Sequence, residues 1–139
     1  MDERSEIRRL LRDARTVAVV GLSADAARPS HGVARYLLEH GYRIIPVNPN
    51  CKQVLGQPCY PDLRSVPVPV DVVDVFRRPA ECAAVAREAV AIGARALWLQ
   101  LGVVDEQARR IGEGGGLTVV MDRCIQVEHA RLLAAGDLT

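Results

Sequence analysis

T-V-A-V-V-G-L-S-A-D, residues 16–25, decides the class of fold. Its first five residues are mostly β-branched and apolar without a polar alternation, which marks a strand buried on both faces. A glycine and a polar break follow. Beyond Ser30, read as an N-cap, residues 31–40 run as a helix up to Gly41, a natural left-handed C-cap. A strand hidden on both faces and followed at once by a helix belongs to a parallel sheet covered by helices on each side.

The same order recurs along the chain. Residues 42–47 (YRIIPV), 70–75 (VDVVDV), 96–99 (ALWL) and 117–120 (LTVV) are the further strands. Residues 79–92 open on Pro79 and stop at Gly93, the proline-first, glycine-last signature of a helix. Residues 105–111, opening on an acidic side chain, and 126–135, ending before Gly136, are helices too. Residues 5–13 carry Ile7, Leu10 and Leu11 on one side and arginines elsewhere, an amphipathic helix expected to lie across the sheet. The expected fold is therefore α/β, a single doubly wound parallel sheet of about five strands, with residues 1–139 forming one domain. Right-handed crossovers predict the strand order 3-2-1-4-5, with the ligand crevice at a topological switch between the first strand and the 70–75 strand. The stretch 63–69, with Pro67 and Pro69, is an irregular connection.

Composition narrows the function classes. Eighteen basic and 17 acidic side chains leave a formal net charge of +1, so no global field gathers nucleic acid or an anionic membrane. One Trp, three Tyr and one Phe offer few stacking platforms for single strands. Apolar residues make up 49% of the chain but come in short runs, far from the roughly 18 needed to cross a bilayer. The start, MDERSEIRRLLRDA, is charged throughout and lacks a secretory pattern, so a cytoplasmic location is expected. Cys51, Cys59, Cys82 and Cys124 contain no C-x-x-C pair and read as free thiols.

In such a sheet the ligand sits beyond the carboxyl ends of the strands. After the first strand, Gly21, Leu22 and Ser23 precede Arg28, Pro29 and Ser30: a glycine turn, a hydroxyl and a helix N-terminus, the parts of a phosphate cradle. A bare βα turn needs the same parts. The dinucleotide fingerprint G-x-G-x-x-G is missing, because Ser23 and Ala26 hold the places of its second and third glycines. After the second strand, where NAD sites carry a ribose-binding carboxylate, stand Val47, Asn48, Pro49, Asn50, Cys51 and Lys52. An amide with a nearby ammonium suits a ribose that bears its own phosphate, though Lys52 serves equally as a solvated lysine. After the third strand, Phe76 is placed to pack on adenine and Arg77 to meet a phosphate, or else Phe76 is core and the arginine solvated. Gln100, Leu101 and Gly102 form a turn placed to approach the ligand's tail, while Trp98 reads as core. His31, His40 and His129 fall in helices with no nucleophile spaced beside them. Cys124 follows the last strand toward the same edge.

The stretches G-L-S (21–23), R-P-S (28–30), I-P-V-N-P (45–49), D-V-F-R-R-P (74–79), W-L-Q-L-G (98–102) and V-M-D-R-C (120–124) together resemble the small stand-alone CoA-binding protein family. The likeness runs from about Arg15 to Leu132, and that family is similar to the CoA-binding Rossmann domain of the succinyl-CoA synthetase α subunit. The resemblance implies coenzyme A as the cofactor. It implies phosphates at Gly21, Ser23 and Lys52, adenosine near Pro46, Val47, Asn48, Pro49 and Phe76, and Arg77 close by, with Leu22 and Arg28 in the same cofactor-binding set. A synthetase also needs a phosphohistidine domain and a nucleotide-binding partner, for which 139 residues leave no room. The implied role is a module that carries, senses or delivers CoA or an acyl-CoA, with no catalysis expected of it alone. A protein partner or homo-oligomer is left open, and the alternative is an NAD(P)-dependent oxidoreductase or nucleotide-binding redox protein.

Overall fold

The computed structural model describes residues 2–138. In chain order, α1 (Glu3–Asp13) leads into β1 (Thr16–Val20), α2 (Pro29–Glu39) and β2 (Arg43–Val47). A hairpin of β3 (Gln53–Val54) and β4 (Gln57–Pro58) and a 3-10 turn (Leu63–Ser65) come next. The chain then runs through β5 (Val72–Val75), α3 (Pro79–Ala91), β6 (Ala96–Leu99), α4 (Glu106–Gly114), β7 (Thr118–Val120) and α5 (Ile125–Ala134).

Five strands form one parallel sheet in the order β2-β1-β5-β6-β7. Counted within that sheet the order is 2-1-3-4-5, which corrects the expected 3-2-1-4-5. The reason is burial: all four residues of β5 are inaccessible, so this strand needs a neighbour on each side and cannot be an edge. β5 pairs with β1 through Val17–Val72 to Val20–Val75, and the switch point stays between these two strands. Instead of a helix, the β2–β5 connection carries the hairpin and the 3-10 turn, and it lays Tyr60, Leu63, Val66 and Val68 on one face of the sheet.

That face is completed by α3 and α4, which cover Ala18, Val20, Val73, Val75, Leu97 and Leu99. The opposite face, with Val17, Val19, Val72 and Trp98, is covered by α1, α2 and α5. α1 seats Ile7 and Leu11 there, as its amphipathic pattern predicts. No helix of the described residues is long and apolar enough to cross a membrane.

Helix starts depart from expectation in one instructive place. α2 begins at Pro29 with Arg28 in the cap position, so Ser30 lies inside the first turn and is not the N-cap. Its hydroxyl is thereby free for the loop before the helix. The hairpin was not anticipated: its strands are two residues each, and Leu55 (φ 54°) and Gly56 (φ 73°) make the left-handed pair that a two-residue hairpin turn requires. It braces the sheet edge, where Tyr60 bridges to Val47.

Candidate functional site

Three loops meet at the carboxyl rim of the sheet because its hydrogen bonds continue past the strands. The Gly21 N–H donates to the Val47 carbonyl at 2.8 Å, and the Phe76 N–H to the Val20 carbonyl at 2.8 Å. Gly21 has φ +88°, and a Cβ there would stand 2.4 Å from the Phe76 carbonyl oxygen. Only glycine lets the β1 and β5 loops approach so closely. The Arg77 Nε lies 3.4 Å from that same phantom Cβ, so its guanidinium covers the turn. Arg77 is half-buried and pairs with no carboxylate among the described residues, nor does Arg28. Arg78, by contrast, is held by Glu81 at 3.2 Å.

The β1–α2 loop is folded by its own polar groups. The Ser30 hydroxyl accepts from the Ser23 N–H at 3.0 Å, Ser23 Oγ accepts from the Asp25 N–H at 3.0 Å, and Asp25 Oδ1 accepts from the Ala27 N–H at 2.9 Å. The N–H groups of Leu22 and Ala24 have no acceptor among the described residues, and α2 adds its N-terminal partial charge beside them. The Leu22 side chain is wholly buried, so only its main chain can face a ligand.

Asn48 is occupied at both ends. Its Nδ2 donates to the Leu22 carbonyl at 2.9 Å and its Oδ1 accepts from the Asn50 N–H at 2.9 Å, stapling the β2 loop to the β1 loop. Pro46 and Val47 are buried strand residues, while Pro49 and Lys52 are exposed beyond the end of β2. Gly21, Ser23, Arg28, Pro29, Ser30 and Phe76 line a hollow of about 330 Å³. The structure brings these predicted residues together. Pro49 and Lys52 stand apart from it.

Phe76 and Pro29 also belong to a second, mostly apolar cleft of about 630 Å³ with Val33, Arg77, Leu101, Val103 and Cys124. A small polar cradle therefore opens into a longer apolar trough along the same rim. Gln100 forms part of the trough's wall although only 6% exposed, and its Oε1 accepts from the Ile125 N–H at 3.2 Å. The turn after β6 is held by Asp122, whose Oδ1 accepts from the Gly102 N–H at 2.7 Å. Trp98 is fully buried, as expected, and its Nε1 donates to the Arg123 carbonyl at 2.8 Å, fixing the loop that carries Cys124. Sequence reading missed the roles of Ser30, Asn48 and Asp122 as loop fasteners; D-R-C after a strand was visible, but its partner Gly102 is 20 residues away.

Beneath the rim, Asp74 on β5 is wholly buried between Val19 and Trp98, with neither carboxylate oxygen hydrogen-bonded. Burial holds its pKa well above the ordinary 3.8. Burial also raises the Cys59 thiol and pushes the Cys82 thiol up to about 11.

The model of a family described as a CoA binding domain matches residues 15–130. An uncharacterized protein of Bacillus subtilis, YneT, is 40% identical over 127 residues, covering 91% of this chain and 94% of that one. The solved structure of a hypothetical protein from Pyrococcus horikoshii matches with a TM-score of 0.92 at 36% identity, over 95% of this chain and 93% of that one. An ADP-forming acetate–CoA ligase of Archaeoglobus fulgidus is 35% identical over 60 residues, 42% of this chain but only 9% of the ligase.

Proposed function

Since the chain belongs to the CoA binding domain family, we propose that it acts in the cytoplasm as one domain that holds coenzyme A or an acyl-CoA across the carboxyl rim, as a carrier, sensor or accessory module. The observation that carries the reading is the unpaired Arg77 guanidinium lying over a Gly21 turn that admits no side chain. A cation without a counter-ion among the described residues, set over open backbone N–H groups, fits a phosphate.

In this reading the pyrophosphate takes the N–H groups of Leu22 and Ala24, the hydroxyl proton of Ser23 and the guanidiniums of Arg28 and Arg77. Adenosine lies toward Pro46–Pro49 and the Phe76 ring, with the exposed Lys52 for the ribose phosphate. The pantetheine arm follows the apolar trough past Val33 and Val103. Roughly micromolar affinity, about 8 kcal/mol, then needs both parts of the site: two or three charge-assisted hydrogen bonds of about 1.5 to 3 kcal/mol each, and apolar burial of the adenine and the pantetheine arm to offset the association costs.

The dinucleotide alternative is disfavoured by the same residues. Asn48, which stands near the place of a ribose carboxylate, is spent on Leu22 and Asn50. Calorimetric titration with CoA, 3′-dephospho-CoA, NAD and NADP tests the reading: CoA should bind most tightly. NADP binding more tightly than CoA, or no CoA binding, would end it. Lys52→Ala should weaken CoA more than dephospho-CoA; equal losses remove the ribose-phosphate role.

A further inference from the structure

The trough that continues the phosphate cradle ends at a thiol. Cys124 stands on its wall at the cap position of α5, partly accessible. Its backbone is held from two sides, by Trp98 Nε1 on the Arg123 carbonyl at 2.8 Å and by Gln100 Oε1 on the Ile125 N–H at 3.2 Å. A second, independent feature marks the trough as a ligand seat. Gln100 is only 6% exposed, its oxygen is used, and its Nε2 has no partner among the described residues on the wall of this mostly apolar cleft. With its oxygen committed to Ile125, that amide nitrogen is the donor left for an acceptor on a molecule lying in the cleft. The pantetheine arm of CoA carries two amide carbonyls and ends in sulfur.

We propose that Cys124 exchanges with the disulfide form of coenzyme A and captures one CoA as a reversible mixed disulfide. The proposal rests on the CoA-binding reading and adds a covalent step to it. The Cys124 thiol loses its proton to solvent and its sulfur attacks the nearer sulfur of CoA–S–S–CoA. The S–S bond of the cofactor breaks, a Cys124–S–S–CoA bond forms, and the second CoA leaves as a thiolate that takes up a proton. No other oxidant enters, because the disulfide brings the oxidising equivalents. A thiol reductant such as glutathione reverses the step, releasing CoA thiol and restoring Cys124.

The remaining cysteines are poor competitors. Cys82 is fully buried, and burial pushes its thiol up to about 11. Cys59 is raised by burial and its thiol donates to the Asn48 carbonyl at 3.4 Å. Cys51 belongs to neither rim cleft. Seating the nucleotide end concentrates the disulfide beside Cys124 to an effective millimolar level. At about 10 µM reagent, capture should thus run roughly 100-fold faster than with an untethered disulfide.

The test uses reduced wild-type protein. One portion is titrated with CoA by calorimetry; others are incubated with CoA disulfide or with cystamine at equal concentration and followed by intact mass and peptide mapping. The expected result is CoA binding, a one-CoA adduct mapped to Cys124, about 100-fold preference for CoA disulfide over cystamine, slowing by excess adenosine 3′,5′-bisphosphate, and no adduct in Cys124→Ser. CoA binding with no adduct, with adducts spread over the cysteines, or with no preference for CoA disulfide overturns this proposal and leaves the binding reading standing. Absence of CoA binding overturns both.

Discussion

Gly21→Ala is the substitution whose cost the structure separates most cleanly. Two effects add there. The φ of +88° is left-handed backbone, which costs an alanine about 1 to 2 kcal/mol. The new methyl would also sit 2.4 Å from the Phe76 carbonyl oxygen, main chain that cannot swing aside as a side-chain tip does. Relieving that overlap means parting the β1 and β5 loops, an overpacking cost of about 1 to 3 kcal/mol. Gly41→Ala supplies the control, since its φ is +94° but nothing lies within 4 Å of its phantom Cβ. It should show the conformational part alone. At about 3 to 4 °C per kcal/mol for a chain of this length, Gly41→Ala should melt roughly 3 to 8 °C below wild type and Gly21→Ala a further 3 to 12 °C lower. The assay is thermal melting by circular dichroism, paired with CoA calorimetry. Gly21→Ala should lose at least about tenfold in CoA affinity, whereas Gly41→Ala should lose none. Equal melting temperatures for the two variants, or an unchanged CoA affinity in Gly21→Ala, would refute the reasoning.

Further outcomes follow from the same contacts. Asp74→Asn should gain stability relative to wild type as pH rises, because the buried wild-type carboxyl keeps its proton at pH values where the unfolded one, near 3.8, has lost it. The wild-type disadvantage should grow by up to about 1.4 kcal/mol per pH unit above 3.8, measured by urea denaturation at pH 4 to 8, and parallel curves would contradict it. His129 is buried neutral with Nδ1 2.8 Å from the Tyr36 hydroxyl, its pKa lowered by burial and by His40. The contribution of His129 to stability should therefore be full above 6.5 and shrink as pH falls below it, against the opposite slope that Asp74 sets, and His129→Phe should remove that contribution from the profile. Ser30→Ala removes the acceptor for the Ser23 N–H and should cost about 1 kcal/mol of stability and several-fold in CoA affinity, read by melting and calorimetry.

Much of the fold was legible because buried parallel strands leave a strong local signal. T-V-A-V-V and A-L-W-L fell on β1 and β6 with the same ends, and Pro79 with Gly93 bracketed α3 to within a residue. Strand order was not legible, since nothing local in V-D-V-V-D-V says that this strand passes its predecessor to pair with β1. That pairing follows from burying Val72–Val75 on all sides, a tertiary demand. The hairpin escaped notice because two-residue strands have no periodicity. At the rim, Gly21, Ser23, Arg28, Phe76 and Arg77 were identifiable as residues following strand ends, and the structure gathers them. What could not be read was how polar groups are spent. Asn48, read as suited to a ribose, is also a fastener for Leu22, while Ser30, read as a helix cap, fastens Ser23. Such pairings depend on loops meeting in space, which residue type and position alone do not encode.

A crystal structure with coenzyme A added tests the central claim most directly. The account predicts the pyrophosphate against the Leu22 and Ala24 N–H groups beneath Arg77, the adenine against Phe76, and the pantetheine arm in the trough ending near Cys124. CoA seated away from the β1–β5 switch, with Arg77 and the Gly21 turn touching none of its phosphates, would contradict it.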